Sequence, residues 1–119
     1  MQLFILAVGK ARGSAEQQLA KDWLERLPVG GSIHEIESKL PAGAKRTDDE
    51  GIRLLRAVPS GAALAILDPR GKDHSSEDLA ALIDAWRDSG YGSAAFAIGG
   101  ADGHAAHIRQ KALRAISFG

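Results

Sequence analysis

The stretch FAIGGADGHAAH, residues 96–107, sets Gly99, Gly100 and Gly103 between an apolar run and a helix-like segment. Glycine lacks a Cβ, so backbone there can approach a ligand closely or adopt positive φ. The helix that follows offers free N–H groups at its start. These residue types suit a ligand-binding wall or a plain strand-to-helix turn. The spacing is GGxxG rather than GxGxxG and comes late in the chain, and no Gly-Lys-Ser/Thr follows. Neither a dinucleotide fingerprint nor a Walker A loop is present.

A second candidate is LDPRGKD, residues 67–73. Asp68 at a strand end can take a ribose hydroxyl, act in catalysis, or cap a turn. Pro69 and Gly71 are turn formers, and Arg70 and Lys72 add local positive charge. The histidines are His34, His74, His104 and His107. They form no His-Glu-x-x-His pair, and without cysteine a metal cluster is hard to assemble, so no metal is expected. His34 is expected to face solvent, and His104 and His107 can share a helix face. No Ser/His/Asp order with a nucleophile elbow is visible. The loop SKLPAGAKR, residues 38–46, carries three positive charges. It is either an exposed loop or a contact for a phosphate backbone.

The elements that must hold these residues alternate. Apolar strand-like runs cover residues 3–8, 32–36, 63–67 and 93–98, and a fifth starts near residue 114. Runs one, three and four are nearly all apolar, which fits strands buried on both faces of a parallel sheet. The second, SIHEIES, alternates and reads as an edge strand. Helical stripes fall at Ala20, Trp23, Leu24 and Leu27; at Gly51, Leu54, Leu55 and Val58; and at Leu79, Leu82, Ile83 and Trp86. Ser14 with Gln17 and Thr47 with Glu50 match a capping box, and Ser75 with Asp78 is a weaker match. A fourth helix is expected over residues 104–113. The order β-α-β-α-β-α-β-α-(β) predicts an α/β fold with a mostly parallel sheet of about five strands and flanking helices. Ligands in such sheets bind beyond the carboxyl ends of the strands. The loops after strands one, three and four, GKARGS, DPRGKDHS and GGADGH, are therefore the candidate site.

The chain has 119 residues, 45% hydrophobic and 25% charged, a composition ordinary for one globular domain. Fifteen basic and fifteen acidic residues cancel, so any RNA contact needs a local patch. There is no cysteine, which excludes disulfides, thiolate nucleophiles and Cys-based zinc sites. The apolar run at the start is too short for a membrane span and lacks a basic region before it. A cytoplasmic protein is expected.

Four motifs come in order: LFILAVGK at 3–10, LPAGAKR at 40–46, ILDPRGK at 66–72 and AIGGADGH at 97–104. Together they resemble the ribosomal RNA large subunit methyltransferase H family of the SPOUT superfamily, over residues 1–119. The resemblance implies S-adenosylmethionine as cofactor, and methylation of a ring nitrogen of a pseudouridine in large-subunit ribosomal RNA. It also implies action on assembled ribosomes as a homodimer. The implied cofactor residues are Leu67, Gly99 and Gly100, with Phe118 and Gly119 opening a third wall; no catalytic residue is assigned. Members of the family continue past SFG into a loop with a Thr-x-Pro-His motif and a final helix that threads a trefoil knot. The expectation is therefore a SPOUT-like α/β domain over 1–119, truncated at its C-terminus and unknotted, with weakened cofactor affinity. The alternative is a non-catalytic scaffold of the same family, an unknotted or rearranged dimer.

Overall fold

The computed structural model describes residues 1–8, 18, 22, 25, 31–99 and 105–117. Five strands form one sheet: β1 (Gln2–Val8), β2 (Ser32–Ile36), β3 (Ala62–Asp73), β4 (Ser93–Ile98) and β5 (Arg114–Ser117). Their order is β2-β1-β4-β3-β5, and every neighbouring pair is parallel. Three helices are described: α1 (Ala44–Ala57), α2 (Ser76–Asp88) and α3 (Ala106–Lys111). Gln18, Asp22 and Glu25 are helical too, with the Gln18 amide donating to Asp22 at 2.8 Å. The stripe at residues 20–27 and its start signal at Ser14 and Gln17 lie outside the described residues.

The period of two in the central strands makes two cores. From β1, Leu3, Ile5 and Ala7 point to one face, and Leu6 and Val8 to the other. On the first face α2 lays Leu79, Ile83 and Trp86 across Ala63, Ala65, Ala94 and Phe96. The small strand residues let the helix sit close, and Trp86 meets the Phe96 ring at 5.9 Å between centroids. A tilted aromatic pair of this kind adds about 0.5–1.5 kcal/mol beyond its buried area. On the second face, Leu54 of α1, with Ala105 and Ile108, covers Leu64, Ile66, Ala95 and Ala97.

As the sequence predicts, β1, β3 and β4 are interior strands and β2 lies at an edge. The alternation expected of β2 is not seen: His34 and Glu35 are both exposed, and Ile33 and Ile36 join opposite cores. The weaker capping box is real: Asp78 N–H donates to Ser75 Oγ at 3.1 Å, and Ser75 N–H donates to the Asp78 carboxylate at 2.9 Å. The one expected at Thr47 is not. α1 already starts at Ala44, after Gly43 at φ 138°, a conformation that favours glycine. Thr47 therefore lies inside the helix, where its hydroxyl donates back to the Gly43 carbonyl at 3.3 Å. The last helix is also shorter than expected, six residues rather than the 104–113 stretch. β3, in turn, does not stop at Leu67. It continues to Asp73 with a break in register: Leu67 and Lys72 both lie opposite Ile116 of β5.

Candidate functional site at the carboxyl ends of the strands

Strands β1 and β4 are neighbours, yet β2 lies to one side of them and β5 to the other. The strand order thus reverses at this pair, the place where open parallel sheets bind ligands. Leu67, near the end of the regular part of β3, lies opposite Ile98 of β4 and Ile116 of β5. Gly99 follows Ile98 directly and is half-buried, while Leu67 is buried. Two of the sequence-predicted site residues, Leu67 and Gly99, are thereby brought to one end of adjacent strands. Gly100, Phe118 and Gly119 lie outside the described residues, as do Gly103 and His104.

Asp68 sits in the register break and is buried, with only 6% of its surface exposed. Its Oδ1 accepts from the Arg70 backbone N–H at 2.9 Å, and the Arg70 side chain lies 3.4 Å from both carboxylate oxygens. Its Oδ2 pairs with Arg109 of α3 at 2.5 Å. The Arg70 backbone bond is the chief reason its carboxyl is lowered to about 2; burial opposes the shift, and the two guanidinium groups add to it. A carboxylate so firmly ionised, with both oxygens engaged, is a poor general base. Of the three roles open to Asp68, the structure fits the turn-holding one. What the sequence did not reveal is its partner Arg109, 41 residues further on, because no local pattern signals such a pairing.

The basic loop is pinned rather than free. Buried Ser38 donates to Asp49 of α1 at 2.6 Å and accepts from the Leu40 N–H at 3.3 Å. Arg53 donates to the same Asp49 at 2.9 Å. Ser38 first and Arg53 second hold the Asp49 carboxyl below its ordinary range. Residues 44–46 of the expected loop belong to α1, and Lys39 and Lys45 remain exposed. A cleft of about 660 Å³ lies between the starts of α1 and α3, bordered by Ala42, Gly43, Thr47, Asp48, Ala105 and Ala106.

The three described histidines, His34, His74 and His107, are scattered. His34 is exposed on β2, 5.9 Å from the Phe4 ring. His74 donates through Nδ1 to the Lys72 carbonyl at 2.7 Å. The Nε2 of His107 is buried against Gly51 of α1, with no hydrogen-bond partner among the described residues. Among the described residues no group of three or more His, Asp or Glu side chains could hold a metal ion, and no helix is long and apolar enough to cross a membrane.

The fold defines an α/β protein with a parallel sheet, and the carboxyl edge of that sheet is the candidate ligand site. Comparison with known proteins narrows this class. Residues 1–119 match the family described as "Predicted SPOUT methyltransferase". The chain is similar to the ribosomal RNA large subunit methyltransferase H of Paramagnetospirillum magneticum, at 42% identity over all of this chain and 79% of that protein. It is also similar to those of Xanthobacter autotrophicus and Roseobacter denitrificans, each at 38% identity over all of this chain and 80% of the relative. The chain belongs to the SPOUT methyltransferase family.

Proposed function

We propose that this chain methylates large-subunit ribosomal RNA, with S-adenosylmethionine as methyl donor and a ring nitrogen of a pseudouridine as acceptor. One observation in the structure carries the reading: the register that sets Leu67 of β3 beside Ile98 of β4, next to Gly99, at the carboxyl end of the strand that with β1 forms the point of reversal. It is supported by the relatives, which are named ribosomal RNA large subunit methyltransferase H; the donor and the acceptor atom come from the sequence resemblance. The residues present fit the donor. S-adenosylmethionine has no phosphate, so it needs apolar wall and close backbone more than an anion cradle. Leu67 supplies the first, and Gly99, with no side chain, allows the second. Gly100, Phe118 and Gly119 complete the same reading from the sequence.

When bound, the cofactor supplies a methyl group on a sulfonium, a good leaving group for transfer to nitrogen. Transfer to an N–H would also require the nitrogen's proton to pass to water, since no base of this chain is assigned, and the donor would be left as a neutral thioether. The protein's part is to hold donor and acceptor in line and keep water away. Residues 1–119 act in this reading as one domain of a cytoplasmic homodimer on the ribosome. In this reading the exposed Lys39 and Lys45 meet RNA phosphates.

The test is methyl transfer from labelled S-adenosylmethionine to large ribosomal subunits lacking the modification, with a full-length relative as positive control. Label is expected in the ribosomal RNA at one pseudouridine. No label at saturating cofactor, with an active control, would sink the reading.

A further inference from the structure

The chain's net charge is zero, so contact with RNA needs a local surface of one sign. The described helices divide their charge by layer. α1 and α3 cover one face of the sheet, with Leu54 and Ile108 buried there. They carry six cations, Lys45, Arg46, Arg53, Arg56, Arg109 and Lys111, against Asp48, Asp49 and Glu50, a balance of +3. α2 covers the other face with Leu79, Ile83 and Trp86. It carries Glu77, Asp78, Asp84 and Asp88 against Arg87, a balance of −3. Helical layers on opposite sides of one sheet are about 20 Å apart, two packing distances. That exceeds the Debye length of about 8 Å at physiological salt, so the two layers present separate fields to solvent.

The basic layer is also one outward surface. Two of its three acids are engaged: Glu50 is buried, and Asp49 is held by Ser38 and Arg53. Lys45, Arg56 and Lys111 are exposed and form no ion pair among the described residues. Lys45 and Arg56 lie three turns apart on α1, on the side opposite buried Leu54, and so stand about 16 Å from each other. Gly51 brings α3 alongside. A Cβ there would stand 2.6 Å from His107 Nε2 and 2.8 Å from its Cε1, so the missing side chain lets the two helices touch. Lys111 is four residues after His107 and therefore on the side of α3 that meets α1.

We propose that the outer surface of α1 and α3 is where this protein docks on the phosphate backbone of its RNA substrate, with α2 turned away. This rests on the ribosomal-RNA reading above and adds to it the face that meets the RNA. Cations held on rigid helices fix orientation on a phosphate backbone without reading sequence. The acidic layer of α2 would be repelled by the same backbone.

The experiment follows binding of the chain to isolated large-subunit ribosomal RNA by fluorescence anisotropy over a series of salt concentrations. The variants are Lys45→Gln, Arg56→Gln, Lys111→Gln and all three together. Each lost phosphate contact lowers the slope of log affinity against log salt by about 0.7–0.9, which is roughly five- to eightfold in affinity at about 0.1 M salt. The triple variant should therefore bind roughly 100- to 500-fold more weakly, with a slope shallower by about 2. Lys45→Arg should stay near wild type. So should Arg87→Gln, which removes a cation from α2 whose side chain is 58% exposed. Wild-type binding and slope in the triple variant, or an equal loss in Arg87→Gln and Arg56→Gln, would overturn the proposal and leave the methyltransferase reading standing. Loss of binding to intact subunits, with bare RNA bound as by wild type, would overturn it in favour of a protein partner. A folded wild-type chain that binds no ribosomal RNA at low salt would also overturn it; if that chain transfers no label either, the reading above falls with it. If the triple variant does not fold, the three single variants decide the matter.

Discussion

Replacing Gly71 with alanine tests whether the register break in β3 is built as described. A Cβ at Gly71 would stand 2.6 Å from the carbonyl carbon of Ala115, and 2.7 Å from both the Ala115 oxygen and the Ile116 nitrogen. All three atoms are backbone of β5, so no side chain can swing aside. Restoring an ordinary contact of 3.4 Å asks the strands to part by about 0.8 Å. That stretches hydrogen bonds near 2.9 Å beyond useful length. The bonds at risk include the one from His74 N–H to the Ser117 carbonyl, now 2.8 Å. Two or three backbone bonds at about 0.5–1.5 kcal/mol each are lost. Against this, alanine restricts the unfolded chain and returns about 0.4–1 kcal/mol. The balance is a destabilisation of roughly 1–3 kcal/mol, or a melting midpoint lower by roughly 4–12 °C in a domain this size. Gly92→Ala is the matched control: nothing lies within 4 Å of its Cβ position, and its midpoint should stay or rise slightly. Thermal melts followed by far-ultraviolet circular dichroism read both. A Gly71→Ala midpoint within about 2 °C of wild type would refute the close approach of β3 and β5.

Three further outcomes follow from the same geometry. Ser75→Ala should cost α2 about 1 kcal/mol in urea unfolding, since it removes the acceptor for the Asp78 N–H. Asp68 has its carboxyl lowered to about 2, so its contribution to stability is present above the unfolded value near 4 and is lost as pH falls toward 2. Melts taken across that window should show stability falling, with a shallower slope in Asp68→Asn; equal slopes would count against the ion pair. His107→Leu removes a buried nitrogen that has no partner among the described residues and keeps an apolar body beside Gly51, so its urea midpoint should be unchanged or higher.

Much of the architecture could be read from residue pattern because burial imposes it directly. β1 and β4 lie between two layers of helix, and that demand wrote LFILAV and SAAFAI into the chain. β2, at the edge, is only partly covered: His34 and Glu35 are exposed, while Ile33 and Ile36 join the cores on opposite faces, so its edge place was legible but its burial is not a simple alternation. The second half of β3 escaped notice for the opposite reason. DPRGKD is polar and rich in turn formers, and its extended form comes from Asp68 bonding its own backbone and from pairing with β5. The start of α1 was misplaced because Thr47 and Glu50 have capping-box spacing, while the true start rests on the conformation of Gly43. Of the candidate site, Leu67 and Gly99 emerged as a pair through strand order. The Asp68–Arg109 tie could not, since nothing local to either residue requires the other.

The strand order has a consequence for how the molecule comes together. β1 is made first, yet it sits between β2 and β4, and its ladder with β4 joins Gln2 to Ser93. No neighbouring pair in the sheet is a hairpin, so none can zip from a tight turn. Chains whose contacts are this distant in sequence close large loops before gaining much in return, and they fold slowly. During synthesis the apolar face of β1 must wait for about four fifths of the chain to emerge before its second neighbour arrives. Through that interval LFILAV has an open edge on the side that β4 will take. The chain's exposure to self-association is therefore greatest while it is being made, rather than after it has folded.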